Sequence, residues 1–217
     1  MRRFDTTTDS GRRTGAQIAA DAVARGEVIV LPTDTVYGVG ADAFDRKAVA
    51  AVLAAKGRGR DMPPPVLVPH VRALDGLAAD VPACARELVA AFWPGPLTLV
   101  CRAQPSLDWD LGDTHGTVAL RMPLHRVALE VLVKTGPLAV TSANRTGSPA
   151  ATTCDEAVEM LGDAVSIYLD AGPSPSSVAS TIIDVTGDVP RVLRAGPLEA
   201  DRLLTVVPDL RLFVPEG

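Results

Sequence analysis

Short apolar runs alternate with helix-patterned segments along this chain, and several joints between them are only a few residues long. Parallel strands need a crossover of about a dozen residues or more, whereas antiparallel strands can be joined by a tight turn. The alternation predicts an α/β layer fold, and the short joints predict a mixed sheet. The stretch 28–58 shows the grammar best. Val28 to Leu31 is an apolar run cut by Pro32, and the hydroxyl-rich turn Thr33-Asp34-Thr35 follows. Gly38 to Phe44 reads as a strand, Asp45 as an N-cap, Lys47 to Ala55 as a helix and Gly57 as its stop, with Lys56 and Arg58 on either side. Two readings of those cations stand side by side. They bind a small anion with the hydroxyls of the strand exit, or they complement the helix macrodipole.

Similar signals punctuate the rest. Helices are expected over 16–25, 83–92, 125–134, 155–161 and 198–204, and strands over 66–68, 97–101, 117–122, 137–140, 166–169, 178–185 and 190–194. Thr14 is the expected cap of the first helix. Three consecutive prolines exclude 57–65 from helix and central strand, leaving an ordered loop beside Lys56. Residues 105–116 read as a surface loop and 171–177 as a mobile one. The expected organisation is a flexible N-terminus over 1–13, a single domain over 14–205 and a C-terminal tail over 206–217.

Hydrophobic residues make up 47% of the 217, but aromatic ones only 4%, so Val, Leu and Ala must build the core. A net charge of −5 argues against a bulk nucleic-acid binder, while leaving room for a local basic surface around Lys56, Arg58 and Arg60. Cys84, Cys101 and Cys154 are odd in number and widely spaced, which argues against a disulfide framework or a zinc site and points to reduced thiols in a cytoplasmic protein. No run approaches a membrane span, and the N-terminus lacks the apolar core of a secretory signal.

Motifs narrow the chemistry. There is no G-x-x-x-x-G-K-[ST] and no G-x-S-x-G. Gly38, Gly40 and Ala43 fit G-x-G-x-x-A with Asp61 further on, a weak match because Pro32 and a polar turn separate the glycines from the preceding strand. His70, His115 and His125 have no metal-ligand partner at helical spacing, so no metal site is expected. What remains is a set of hydroxyls, amides and cations at strand exits: Thr33, Lys56, Arg58, Arg121, Thr141, Ser142, Asn144, Ser180, Thr181 and Arg194. Each fits a turn, cap or ion pair singly. Together they supply several positive donors and no general base, the inventory of phosphoryl or nucleotidyl transfer.

The blocks LPTDTVYGVGADAF (31–44), AAKGR (54–58), FWPGPLTLV (92–100), VALRMP (118–123), VTSANRTGSPA (140–150), STIIDV (180–185) and RVLRAG (191–196) follow one another in order. They resemble the YrdC/Sua5 family, the L-threonylcarbamoyladenylate synthases, over roughly residues 14–205. The resemblance implies a twisted mixed sheet with flanking helices, a concave, positively charged face and the short, single-domain form. It implies that L-threonine, bicarbonate and ATP, with Mg²⁺ on the triphosphate, give threonylcarbamoyl-adenylate and pyrophosphate. The product feeds a separate transferase acting on adenosine 37 of tRNA, and direct RNA contact is an open question.

By this resemblance Thr33, Arg121, Thr141 and Ser180 contact threonine. Lys56 and Arg58 face the phosphates and the carboxylated amino acid as the catalytic cations, and Ser142, Asn144 and Arg194 hold the nucleotide. Two positions depart from the pattern. Met62 stands where many relatives have an asparagine that reaches ATP, and Leu67 where they have a histidine that reaches threonine. Neither side chain makes those hydrogen bonds. The departures keep an alternative in play: a paralogue of the same fold that binds nucleotide or RNA without making the adenylate. A pure RNA-binding module is disfavoured by the acidic charge and the lack of interleaved aromatics. The longer carbamoyl-transferring enzymes with zinc-finger cysteines are a further rival, and those cysteines are absent from this sequence.

Overall fold

A computed structural model describes residues 1–212. Its strands are β1 (Arg2–Asp5), β2 (Ile29–Leu31), β3 (Gly38–Asp42), β4 (Val66–Leu67), β5 (Ala78–Ala79), β6 (Leu97–Ala103), β7 (Thr117–Arg121), β8 (Leu138–Ser142), β9 (Ile167–Asp170), β10 (Thr181–Asp184) and β11 (Arg191–Arg194). The helices are α1 (Asp9–Val23), α2 (Arg46–Lys56), α3 (Ala73–Leu77), α4 (Ala83–Phe92), α5 (Arg126–Thr135), α6 (Cys154–Leu161) and α7 (Ala200–Val206). The strands form one mixed sheet in the order β1-β9-β2-β3-β8-β4-β7-β6-β10-β11, with β5 on β6. Parallel pairs such as β2–β9 and β6–β10 lie among antiparallel ones such as β2–β3, β3–β8 and β6–β7, as the short joints require.

Strand β2 shows how the layers form. Ile29 and Leu31 pack with α1 and α5 through Ala16, Ala19, Val131 and Leu132. Val28 and Val30 pack on the opposite face with Ala48, Val52, Ala157 and Leu161 of α2 and α6. An uninterrupted apolar run is what a strand covered on both faces needs. The other half of the sheet rests on a third cluster that includes Leu88 and Phe92 of α4 and Leu203 of α7.

Local signals explain α2. The Asp45 carboxylate accepts from the backbone of Lys47 (2.9 Å) and Ala48 (3.1 Å), and Gly57 ends the helix at φ 62°. Gly38 and Gly40 lie inside β3, opposite Ser142 and Val140 of β8, rather than in a strand-to-helix turn. A Cβ on Gly40 would stand 2.6 Å from Val140 Cγ2 and 2.7 Å from the Ala139 carbonyl. These glycines therefore let two strands approach, in keeping with the weakness of the dinucleotide match.

The N-terminus differs from the sequence reading. Arg2–Asp5 add a parallel strand to β9, and α1 begins at Asp9 under a Thr8 cap, with Thr14 in its interior. Gly11 made this start hard to read, because it resembles a breaker. A Cβ there would come 2.2 Å from the Asp5 carbonyl, so the glycine is needed where the strand folds back on the helix. Arg12 is buried against Asp9 (2.5 Å) and Glu130 of α5 (2.7 Å). The 178–185 strand is shorter than expected, and the start of the 171–177 loop is tied to Tyr37, whose hydroxyl donates to Gly172 (2.5 Å). In the expected tail, Arg211 bridges to Arg191 and Leu210 is buried; positions 213–217 lie outside the described residues.

Candidate active site

Four chain exits meet at one cavity of about 310 Å³. The β2–β3 turn contributes Thr33 and Thr35, β8 contributes Thr141 and Ser142, the segment after α2 contributes Arg58 and Pro63–Pro65, and the β10–β11 hairpin with its approach contributes Ser180, Ile182, Leu193 and Arg194. Strands β6 and β7 supply Thr98, Val100, Ala119 and Arg121 between them. The register makes this convergence: Gly38 pairs with Ser142, which sets the β8 exit beside the β2–β3 turn. The volume is in the usual range for a small-molecule site, about 300–1,000 Å³.

Arg121 is the hub of the threonine-rich side. It is buried, and its guanidinium donates to the Gly95 carbonyl (3.0 Å), to Thr35 Oγ1 (3.0 Å) and to Asp34 Oδ1 (2.6 Å). The same Asp34 oxygen accepts from the Leu124 backbone (2.9 Å). The hydroxyls then point one way. Thr33 Oγ1 donates to the Val36 carbonyl (2.6 Å) and lies 3.0 Å from Thr35 Oγ1, which already accepts from Arg121. The threonine-to-threonine bond therefore runs from Thr35 to Thr33. Such a chain holds each member in one orientation.

Across the cavity, Arg194 donates to the Ser180 carbonyl through Nε (2.9 Å) and Nη2 (2.8 Å), and Nη2 also reaches Ser180 Oγ (3.1 Å). Ser180 Oγ pairs with Thr98 Oγ1 at 2.8 Å. Arg58 donates from Nη1 to Thr141 Oγ1 (2.8 Å), and its Nε is buried without a partner. Burial pulls Arg194 below the usual arginine range, with the neighbouring Arg121 and Arg58 guanidiniums adding to it, and burial also lowers Arg58. Like charges gathered this way favour an anionic occupant.

Of the expected residues, Thr33, Arg58, Arg121, Thr141, Ser142, Ser180 and Arg194 line the cavity, and Lys56, Asn144 and Thr181 do not. Lys56 and Asn144, expected to face a nucleotide, engage each other at the β8 exit. The Lys56 ammonium turns to the β8 exit, where it meets the carbonyls of Ser142 and Asn144 (2.7 Å to the latter) and Asn144 Oδ1 (3.0 Å). Sequence reading missed Asp34, Thr35 and Thr98 as partners of the cavity cations and hydroxyls. The signal for Asp34 and Thr35 lay in the turn that carries Thr33; Thr98 had none beyond its strand. At the two departures, Leu67 lines the cavity, Met62 is exposed, and the lining includes no histidine. Among the described residues, no cluster of three or more His, Cys, Asp or Glu side chains could hold a metal ion.

Comparison with known proteins agrees with this architecture. The family model for Sua5, YciO and YrdC, described as telomere recombination, matches residues 21–196. A putative threonylcarbamoyl-AMP synthase from Mycobacterium leprae is 56% identical over 204 residues, covering 94% of this chain and 93% of the relative. The threonylcarbamoyl-AMP synthase of Pyrococcus abyssi is 36% identical over 90% of this chain, which spans 58% of that longer relative. The structure of P. abyssi Sua5 complexed with L-threonine superposes with a TM-score of 0.93 at 33% identity, covering 98% of this chain and 63% of that one. Escherichia coli YciO, at 23% identity and a TM-score of 0.83, shares the fold. The chain belongs to the Sua5/YciO/YrdC family.

Proposed function

We propose that this protein is a threonylcarbamoyl-AMP synthase, an adenylate-forming transferase that joins L-threonine, bicarbonate and ATP. One observation carries the reading: three guanidiniums, from Arg58, Arg121 and Arg194, line one cavity together with the hydroxyls of Thr33, Thr141, Ser142 and Ser180. One of the three, Arg121, is already neutralised by Asp34. Arg58 and Arg194 therefore supply the net positive charge for phosphates. The relatives named as threonylcarbamoyl-AMP synthases supply the reaction class.

In this reading the threonine amine adds to bicarbonate and water leaves, giving an N-carboxy carbamate. A carbamate oxygen then attacks the α-phosphorus of ATP, forming the mixed anhydride and releasing pyrophosphate. Arg58 and Arg194 stabilise the charge that grows on the phosphoryl oxygens, and Ser142 supplies a donor on the same wall. Arg121, Thr141, Ser180 and Thr33 define the amino-acid side. Pro63–Pro65, Leu111 and Leu193 add apolar wall, which limits water around a short-lived carbamate. Mg²⁺ enters with ATP as part of the substrate.

The product is a reactive anhydride and needs an acceptor enzyme. We assign it to a threonylcarbamoyl transferase that forms N6-threonylcarbamoyladenosine at tRNA position 37. The expected location is the cytoplasm. Three free cysteines suit a reducing compartment, and no described helix is long and apolar enough to cross a membrane.

The test is pyrophosphate release with ATP, Mg²⁺ and each amino acid in turn, with and without bicarbonate, alongside chromatography for the acyl-adenylate. Release that depends on both L-threonine and bicarbonate is expected. Release indifferent to bicarbonate, or absent with every amino acid, refutes the assignment.

A further inference from the structure

Lys56 is the one expected cation that is not among the cavity's lining residues, yet it is among the most enclosed polar groups of the fold, 3% exposed. An ammonium has three N–H donors, and three oxygens converge on this one: the Ser142 carbonyl, the Asn144 carbonyl at 2.7 Å and Asn144 Oδ1 at 3.0 Å. No donor is left over for a phosphate. The main chain repeats the attachment, because Thr146 N donates to the Lys56 carbonyl at 2.9 Å. Asn144 is itself fixed, with its Nδ2 donating to Arg145 (2.9 Å) and Ser148 (2.7 Å) carbonyls, so its Oδ1 must face the lysine. The segment leaving β8 is therefore wrapped around the end of α2. Two residues further on, Arg58 reaches the same segment from the cavity side through Thr141 Oγ1.

We propose that Lys56 is a positioning residue: its ammonium clamps the Thr141–Asn144 exit from behind, so that Thr141, Ser142 and Arg58 present one fixed wall to both substrates. The inference rests on the ATP-and-threonine reading of the cavity. It divides the labour between Lys56 and Arg58, with the lysine building the wall and the arginine facing the ligand.

The variants are Lys56→Met, which keeps the stem and removes every donor, and Lys56→Arg. Affinities for ATP and for L-threonine are measured separately by calorimetry. A clamp predicts that Lys56→Met weakens both ligands at least tenfold. It also predicts that Lys56→Arg does not rescue, since a planar guanidinium fork cannot meet three oxygens converging on one nitrogen. Loss of ATP affinity alone, with threonine unchanged, overturns the proposal, as does an arginine variant that behaves like wild type. Should the methionine variant not fold, wild-type protein with ¹⁵N-labelled lysine decides the matter. The Lys56 Nζ signal is expected to be protected from exchange without ligand and unmoved by ATP. A signal that becomes protected only on adding ATP overturns the clamp. Wild-type protein that binds neither ATP nor threonine counts against the functional reading instead, and the ligand-free signal still tests the clamp.

Discussion

Replacing Asp34 by asparagine isolates the charge of the buried pair that organises the cavity. The side chain keeps its shape, and Oδ1 can still accept from Arg121 and from the Leu124 backbone, now 2.6 and 2.9 Å away. What disappears is the countercharge. Both side chains are enclosed, at 7% and 10% exposure, so the weak values typical of surface ion pairs do not apply. Removing one partner of a buried pair costs about 3–5 kcal/mol, because the other charge is left uncompensated. The hydrogen bonds that survive, including those from Arg121 to Thr35 and Gly95, put Asp34→Asn at the lower end, about 3 kcal/mol. At roughly 2–4 °C per kcal/mol for a chain of this size, the melting midpoint falls by about 6–12 °C. Chemical denaturation gives the free energy, and a double-mutant cycle with Arg121→Met gives the coupling. The double variant should be less destabilised than the two single changes summed, by at least about 1 kcal/mol. A loss under 0.5 kcal/mol, or strict additivity, would refute the buried-pair argument.

Other outcomes follow from the same geometry. Arg58→Ala and Arg194→Ala should each lower kcat about a hundredfold, the ~3 kcal/mol typical of one charge stabiliser, while changing the melting midpoint little; near-normal pyrophosphate turnover in either removes that residue from the phosphate wall. Gly40→Ala should destabilise by about 1–3 kcal/mol, since its Cβ meets the Ala139 carbonyl, whereas Gly76→Ala in α3 meets nothing within 4 Å and should be neutral or stabilising in the same melt. Burial, with the Arg58 charge beside it, pulls the Lys56 ammonium from its ordinary 10.5 down to about 8. Between those values the unfolded chain binds the extra proton, so this group makes folding stability rise with pH across the window. Buried Cys101 and Cys154, whose thiols burial pushes up, act in the opposite direction, so the Lys56 contribution is read as the difference in melting midpoint between wild type and Lys56→Met, where the shared titrations cancel. That difference should shift in favour of wild type from pH 7 to 10, and a difference flat with pH contradicts the lowered lysine.

The parts of the fold that were legible in the sequence are those set by local chemistry. Pro32 ends β2, Asp45 caps α2 and Gly57 closes it, and each signal acts within a few residues. Strand β1 was not legible, because Arg2–Asp5 have no alternation and become a strand only by pairing with β9, far away in the chain. The site divides the same way. Hydroxyls and cations at strand exits were visible as residue types, and most of them reach the cavity. Their partners were not, since Asp34 meets Arg121 across 87 positions and Thr98 meets Ser180 across 82. Lys56 shows the limit most clearly. Its position at a helix end marks it as important, but only the wrapped β8 exit shows which oxygens it serves.

The central claim is that one cavity condenses all three substrates. A reaction run with ¹³C-bicarbonate, L-threonine and ATP, followed by ¹³C spectroscopy and mass spectrometry, tests it directly. One nucleotide product that carries both the label and threonine is expected, formed in step with pyrophosphate. AMP and pyrophosphate appearing without any labelled acyl-nucleotide would contradict it.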